Sequence, residues 1–226
     1  QNPACWLASY NLGMELADLG QSTEAIELYR ETLRLKPDYA EVHANLGLEL
    51  ARFPGGLTEG IRELEQAMRL KPELHVAKNN LANLLAKTPE RAEDAIALYL
   101  DLLRHDPAHY GVRFNLGNIL MRFPSRENAA LLQFTEATQL EPDYWQAHYQ
   151  IGVILMRQRR DLDHAIIAFE NVIRIKPDET EARFRLAQIL AITPGRRAEA
   201  IEQLNKILRL NPQHSGARNL LRQIGY

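Results

Sequence analysis

The sequence has little cysteine, almost no excess of charge and no long apolar run. Cys5 is the single cysteine of 226 residues, so a disulfide within this chain is impossible. The formal net charge of −2 argues against a general nucleic-acid binder. No apolar run approaches the roughly 20 residues that a membrane-spanning helix needs, and the N-terminus has no signal-peptide pattern. We therefore predict neither nucleic-acid binding nor direct membrane insertion by this fragment.

Catalytic and metal-binding signatures are also missing. The seven histidines have no ligand spacing: His105 and His109 are four residues apart, but Asp106-Pro107 interrupts the helix that would align them. Pro54-Gly55-Gly56 follows a predicted helix rather than a strand and lacks the lysine of a phosphate-binding loop. We therefore predict no catalytic residue, no metal site and no cofactor.

Proline sets the organisation of the chain, because it recurs at a fixed interval. One series is 35 residues apart at each step and marks the ends of successive units: Pro37, Pro72, Pro107, Pro142, Pro177 and Pro212. Proline cannot continue a helix interior, so a proline at one phase of a period marks a helix end. A second series, at another shared phase, consists of Pro54, Pro89, Pro124 and Pro194. The resulting pattern in each unit is a helix, a short turn, a second helix and a proline stop. A period of 35 residues is typical of helical repeats.

Small and large apolar residues repeat at matching positions. The first predicted helix of each unit has one small residue in common, at Gly13, Gly47, Ala82, Gly117, Gly152 and Ala187. The second helix has a small residue at Ala25, Gly60, Ala95, Ala130, Ala165 and Ala200, and a large one four positions later, at Tyr29, Leu64, Tyr99, Phe134, Phe169 and Leu204. Small side chains let two helix axes approach closely.

This pattern resembles the tetratricopeptide repeat (TPR). The resemblance implies an all-α α-solenoid, a right-handed superhelix of six TPR helix pairs with a C-terminal capping helix. We expect a single array over residues 1–226, with repeats at about 5–38, 39–73, 74–108, 109–143, 144–178 and 179–213 and a cap at 214–226. The early tryptophan of the family is mostly replaced, by Ser9, His43, Lys78, Arg113, His148 and Arg183. Ser22, Ser125 and Asp161 are predicted helix N-caps.

The first helices carry a stripe of residues at phases 2, 6, 9 and 13 of each unit, which three-and-four spacing places on one face. Its amides are Asn11, Asn45, Asn80, Asn115 and Gln150 at one phase, with Asn83 and Asn118 at the next. An amide can pair with both the N–H and the C=O of a peptide backbone. The TPR array of O-linked N-acetylglucosamine transferase is similar in having an asparagine ladder on its concave surface. That resemblance implies that these amides face a groove; the alternative is that they bond to a neighbouring helix or to water.

Two further columns each have two readings. Arg52, Lys87, Arg122 and Arg157 form a basic column with two compatible readings: it complements the C-terminal ends of helix dipoles, and it attracts acidic side chains or a C-terminal carboxylate of a ligand. Tyr10, Phe114, Tyr149 and Phe184 are either ligand anchors or core residues.

The sequence predicts a protein-interaction scaffold that binds an extended peptide or a partner helix in its concave groove. The alternatives are a substrate-selecting accessory domain of a larger, glycosyltransferase-like or membrane-anchored enzyme, and a self-associating repeat module. The chain does not begin with methionine, and Pro3 has the phase of a closing proline, so we expect further sequence upstream. Localisation is unassigned: cytoplasmic by default, and periplasmic or membrane-tethered if upstream segments carry a signal or a span.

Overall fold

The computed structural model describes residues 4–159 and 161–225, which form thirteen α-helices and no strand. Residues 1–107 form one compact unit and residues 108–226 another. The first unit contains α1 (Ala4–Asp18), α2 (Ser22–Leu35), α3 (Ala40–Leu50), α4 (Leu57–Leu70), α5 (His75–Leu85) and α6 (Ala92–His105). The second contains α7 (Tyr110–Leu120), α8 (Glu127–Leu140), α9 (Trp145–Gln158), α10 (Leu162–Ile175), α11 (Thr180–Ile192), α12 (Arg197–Leu210) and α13 (Ser215–Gln223).

The helices pack in the order of the chain. Within each pair, the first helix packs on the second; within each unit, the second also packs on the next first helix. The final helix α13 packs on α12, at the predicted position of the cap. Each unit is therefore a stack of helix pairs whose core lies between neighbours. Whether the two units form the single array predicted from the sequence stays a prediction.

The core follows the predicted pairing of small with large residues. Tyr29, Phe134 and Phe169 of the second helices are at most 1% exposed. An added Cβ atom at Gly117 would lie 2.6 Å from the Phe134 ring, and one at Gly152 would lie 2.7 Å from the Phe169 ring. The glycines of the first helices therefore leave the space that the aromatic rings fill, and this close packing compensates for the low helix propensity of glycine.

Where the family has a tryptophan, this chain has a hydrogen-bonding side chain that fixes the start of the first helix. The ring nitrogens of His43 lie 2.6 Å from Oε2 of Glu63 and 2.9 Å from the carbonyl oxygen of Pro37. Arg183 donates to the carbonyl oxygen of Pro177 and to Gln203. Other members of this column donate in the same way: Lys78 to Asp101, Arg113 to Gln133 and Glu136, and Arg218 to the Pro212 carbonyl. Polar contacts thus link the closing proline or the second helix to the first helix.

Two of the three predicted N-caps are wrong. Ser22 is already the first residue of α2, and Ser125 lies inside a 3₁₀ turn, Pro124–Arg126, that precedes α8. The proline directs the chain into that turn before the α-helix begins. Asp161 is confirmed as a cap, because its Oδ1 accepts a hydrogen bond of 3.2 Å from the backbone N–H of His164.

Candidate functional site

The first-helix stripe is accessible in both units. We use this name for 24 residues on α1, α3, α5, α7, α9 and α11 or within two residues of their ends: Leu7, Asn11, Met14, Asp18, Glu41, Asn45, Leu48, Arg52, Val76, Asn80, Asn83, Lys87, Gly111, Asn115, Asn118, Arg122, Gln146, Gln150, Val153, Arg157, Glu181, Arg185, Gln188 and Ile192. None of its 24 members is buried, although residues directly beside them, such as Leu46, Leu81 and Leu116, are at most 5% exposed. The stripe is thus the face of the first helices that packing leaves to solvent.

In the first unit, the stripe amides bond to tyrosines as well as facing solvent. Asn45 donates from Nδ2 to the hydroxyl of Tyr10 at 3.3 Å. Asn83 accepts a hydrogen bond of 2.6 Å from the hydroxyl of Tyr99. Burial raises the pKa of Tyr99, so its hydroxyl remains a donor at neutral pH. Asn11 is exposed and Asn80 is partly exposed.

In the second unit, two stripe amides bond to each other. Nε2 of Gln150 donates to Oδ1 of Asn118 at 3.3 Å, which links α9 to α7. Asn115 is partly exposed on α7. A side-chain amide has two N–H donors and an oxygen with two lone pairs, so one bond of this kind uses a fraction of its capacity. Packing bonds and ligand contacts are therefore compatible at Asn45 and Gln150.

The basic column lies slightly beyond the helix ends. Arg52, Lys87 and Arg122 are exposed and come two residues after α3, α5 and α7 end, whereas Arg157 is in the last turn of α9. The Nε atom of Arg52 is 3.5 Å from Oε1 of Glu49. Arg157 forms an ion pair with Glu127.

The four stripe-adjacent aromatic residues are part of the packing. Tyr10 contacts Tyr29 with ring centroids 6.2 Å apart, and Tyr149 contacts Phe169 at 5.8 Å. Tyr10 also contacts Tyr39, Phe114 contacts Phe134 and Tyr144, and Phe184 contacts His214. Their contacts are those of core residues, which is one of the two readings of the sequence.

An open pocket of about 440 Å³ lies between α9, α11 and the start of α10, and we call it the α9–α11 pocket. Four of its residues belong to the stripe: Val153, Arg157, Arg185 and Ile192. The other four are Met156, Arg159, Leu162 and Ile189. The pocket thus has five apolar residues and three arginines. Sequence reasoning placed only the four stripe residues on the accessible face. The other four line the pocket because of the way in which α9, α10 and α11 pack together, which the spacing along one helix does not indicate.

Arg159 has an unusual backbone. Its φ is 51° and ψ is 20°, the left-handed conformation, at the C-terminal end of α9. The turns within three other helix pairs have glycine in this region, Gly20, Gly55 and Gly195, with φ between 77° and 82°. Glycine adopts such angles without the steric conflict that a Cβ atom introduces. In the 35-residue period, Arg159 has the phase of Pro54, Pro89, Pro124 and Pro194, and this break in the second proline series was the sequence signal that could have indicated the site.

The electrostatics of the pocket are positive. Nε of Arg185 lies 2.8 Å from Oε1 of Glu181, and Arg157 pairs with Glu127, so both of these guanidinium groups have a carboxylate nearby. Within residues 4–159 and 161–225, the guanidinium of Arg159 has neither a hydrogen-bond nor an ion-pair partner. The pocket lining contains no Asp or Glu. It can therefore accept a negatively charged group without an unfavourable contact with a carboxylate of its own lining.

In the part of the chain that the structure describes, no three His, Cys, Asp or Glu side chains are grouped as metal ligands would be. None of the described helices has the length and apolarity needed to cross a membrane.

Family models for the repeat match along most of the chain. A model described as TPR repeat matches residues 9–51, and two described as tetratricopeptide repeat match residues 80–132 and 128–180, and residues 156–224. The chain belongs to the tetratricopeptide repeat family. The all-α solenoid fold predicted from the sequence is thereby confirmed. A search of the curated proteins gives no match.

Solved TPR structures share this fold. "Crystal structure of YrrB: a TPR protein with an unusual peptide-binding site" is 20% identical, with 86% of this chain and 97% of that chain covered and a TM-score of 0.69. MamA residues 41 to the end from Desulfovibrio magneticus RS-1 is 18% identical, with 77% and 96% covered and a TM-score of 0.70. Another MamA crystal structure is 22% identical, with 73% and 94% covered and a TM-score of 0.65.

Proposed function

We propose that this TPR chain is a protein-interaction scaffold, without catalytic activity of its own, that binds an extended peptide or a partner helix along the first-helix stripe. The accessibility of the whole stripe carries the proposal, because packing leaves this face of α3, α5, α7, α9 and α11 to solvent while burying residues directly beside it. Most of its side chains are polar, with apolar members such as Leu48, Val76 and Val153 between them. The fold shared with YrrB, whose structure is described as having a peptide-binding site, supports the same class of function.

The amides supply the mechanism of binding. An extended peptide presents N–H and C=O groups that need partners when it leaves water. Asn80 on α5 and Asn115 on α7 are partly exposed and can offer a donor and an acceptor to such a backbone. The affinity gained in this way does not depend on the ligand's side chains. Exposed Lys87 and Arg122 add attraction for acidic ligands at longer range.

The test is a titration with peptides selected from a random display library on the full chain. We expect Asn80→Ala and Asn115→Ala, each made separately, to weaken binding about twofold to tenfold, which corresponds to one net hydrogen bond. Asn171→Ala is the matched control, because Asn171 is a partly exposed amide on the second helix α10 and outside the stripe. Circular dichroism checks that each variant keeps its helices. Equal affinity of both stripe variants and the control would contradict the amide mechanism.

A further inference from the structure

We propose that the α9–α11 pocket selects partner segments in which a large aliphatic side chain is next to a carboxylate. This inference rests on the proposed function and adds the chemical class of the ligand. Three observations carry it: the composition of the pocket, the unpaired charge of Arg159 and the backbone conformation that holds this arginine in place.

The apolar part of the pocket fits an aliphatic side chain. Val153 and Met156 come from α9, Leu162 from the start of α10 and Ile189 from α11. Ile192 at the edge is 69% exposed. Four earlier repeats have a cation at the phase of Ile192, so the sixth repeat alone continues the apolar surface to the edge. Ile189 is already 0% exposed, but covering Val153, Met156, Leu162 and Ile192 with a ligand's aliphatic group removes apolar area from water.

The arginines fit a carboxylate beside that side chain. Arg157 forms an ion pair with Glu127, and Arg185 forms one with Glu181. The guanidinium of Arg159 has no ion-pair or hydrogen-bond partner in residues 4–159 and 161–225. A guanidinium can donate two parallel hydrogen bonds to one carboxylate, which an ammonium or an amide cannot reproduce. An acidic residue of the ligand therefore has a donor that the protein does not use itself.

The backbone of Arg159 supports a role in binding. Gly20, Gly55 and Gly195 adopt left-handed conformations in other turns, and a glycine at 159 would remove the strain of the Cβ atom. The Arg159 side chain is exposed and makes no hydrogen bond or ion pair with residues 4–159 and 161–225, so the described fold gains no polar contact from it. The left-handed backbone places Arg159 in the lining of the α9–α11 pocket. We infer that its guanidinium stabilises a bound ligand rather than the folded chain.

A positional-scanning library of acetylated and amidated hexapeptides on the full chain tests the ligand class. Pools with Glu or Asp fixed next to Leu or Ile are expected to bind about tenfold more tightly than pools with Gln and Ala fixed at the same positions, and the difference should shrink at high salt. A second set of pools with a free C-terminal carboxylate shows whether a chain terminus replaces the acidic side chain. Preference for the terminus over an internal acidic residue would overturn the proposal.

Two variants separate binding from folding. Arg159→Gly is expected to raise the urea midpoint of unfolding and yet to abolish the preference for acidic pools. Ile192→Ser is expected to reduce the preference for Leu and Ile alone. Arg209→Ala on α12 is the control for the loss of one exposed positive charge outside the pocket. Peptides that bind without an acidic preference, or an acidic preference that survives Arg159→Gly, would overturn this inference and leave the proposed function intact. Absence of any peptide binding would overturn both.

Discussion

Replacing Gly60 by alanine should destabilise the protein, although the sequence pattern suggests the opposite. The other five repeats have alanine at this position, and alanine in a helix is favoured over glycine by about 1 kcal/mol. In the structure, however, a Cβ atom added at Gly60 would lie 2.5 Å from the carbonyl oxygen of Gly47. One added at Gly47 would lie 2.7 Å from the carbonyl oxygen of Gly60. The backbones of α3 and α4 themselves are in contact here.

The cost of Gly60→Ala to the free energy of unfolding depends on which atoms must move to make room for the added Cβ atom. A side chain in the way can rotate, but a backbone carbonyl within a helix cannot, so α3 and α4 must separate and lose contacts along their length. Overpacking of this kind costs about 1–3 kcal/mol, and the gain in helix propensity offsets about 1 kcal/mol of it. We expect Gly60→Ala to lower the free energy of unfolding by up to about 2 kcal/mol.

Urea unfolding followed by far-ultraviolet circular dichroism measures the effect. The matched control is Gly111→Ala on α7, where the nearest atom to an added Cβ is Cε1 of His109 at an ordinary 3.5 Å. This control should stabilise the protein by a few tenths to about 1 kcal/mol. Repeat arrays do not always unfold in one step, so the midpoints of the two variants are compared directly. An equal increase in midpoint for both variants would refute the packing argument.

Two other predictions concern the core and its hydrogen bonds. The two ring nitrogens of His43 face two acceptors, a carboxylate oxygen of Glu63 and the carbonyl oxygen of Pro37, and only the protonated ring can donate to both. Burial alone would lower the pKa of His43. The two hydrogen bonds outweigh burial and raise this pKa above its usual value. The protonated ring therefore stabilises the fold fully below the unfolded pKa of about 6.5, and this contribution disappears as the pH rises through the folded pKa. His43→Gln should flatten the loss of urea stability between about pH 6 and pH 8, and a pH profile identical to that of the parent chain would exclude this linkage. Phe169→Ala should cost about 3–5 kcal/mol, because the ring is 0% exposed and fills the space beside Gly152; a loss below about 1 kcal/mol would show that the core collapses around the change.

Most of the fold was predictable because it is encoded locally. Three second helices, Ser22–Leu35, Leu57–Leu70 and Arg197–Leu210, lie in the second halves of the predicted repeats at about 5–38, 39–73 and 179–213. Proline stops and three-and-four spacing act within a few residues, and repetition reinforces them. The wrong caps at Ser22 and Ser125 arose where a serine before a helix was read without the geometry of the turn around it.

The candidate site was predictable in outline. The pattern placed the stripe on an accessible face, but the role of its amides as a peptide-binding surface stays a prediction. The bonds of Asn45 with Tyr10 and of Gln150 with Asn118 join residues 35 and 32 positions apart. No local pattern specifies such pairs, because they depend on how one helix pair stacks on the next.

The sequence by itself determined the repeat period, the helices and the face of each helix that is buried, since these depend on propensity and spacing along the chain. Only the tertiary structure decided at which glycines the backbone of a neighbouring helix leaves no room for a Cβ atom. It also decided which stripe amides form hydrogen bonds with other side chains of the protein. The same holds for Arg159, whose side chain lines the α9–α11 pocket and has no ion-pair partner among the described residues. These properties arise between segments distant in sequence, where a difference of a fraction of an ångström decides whether atoms make a contact or collide.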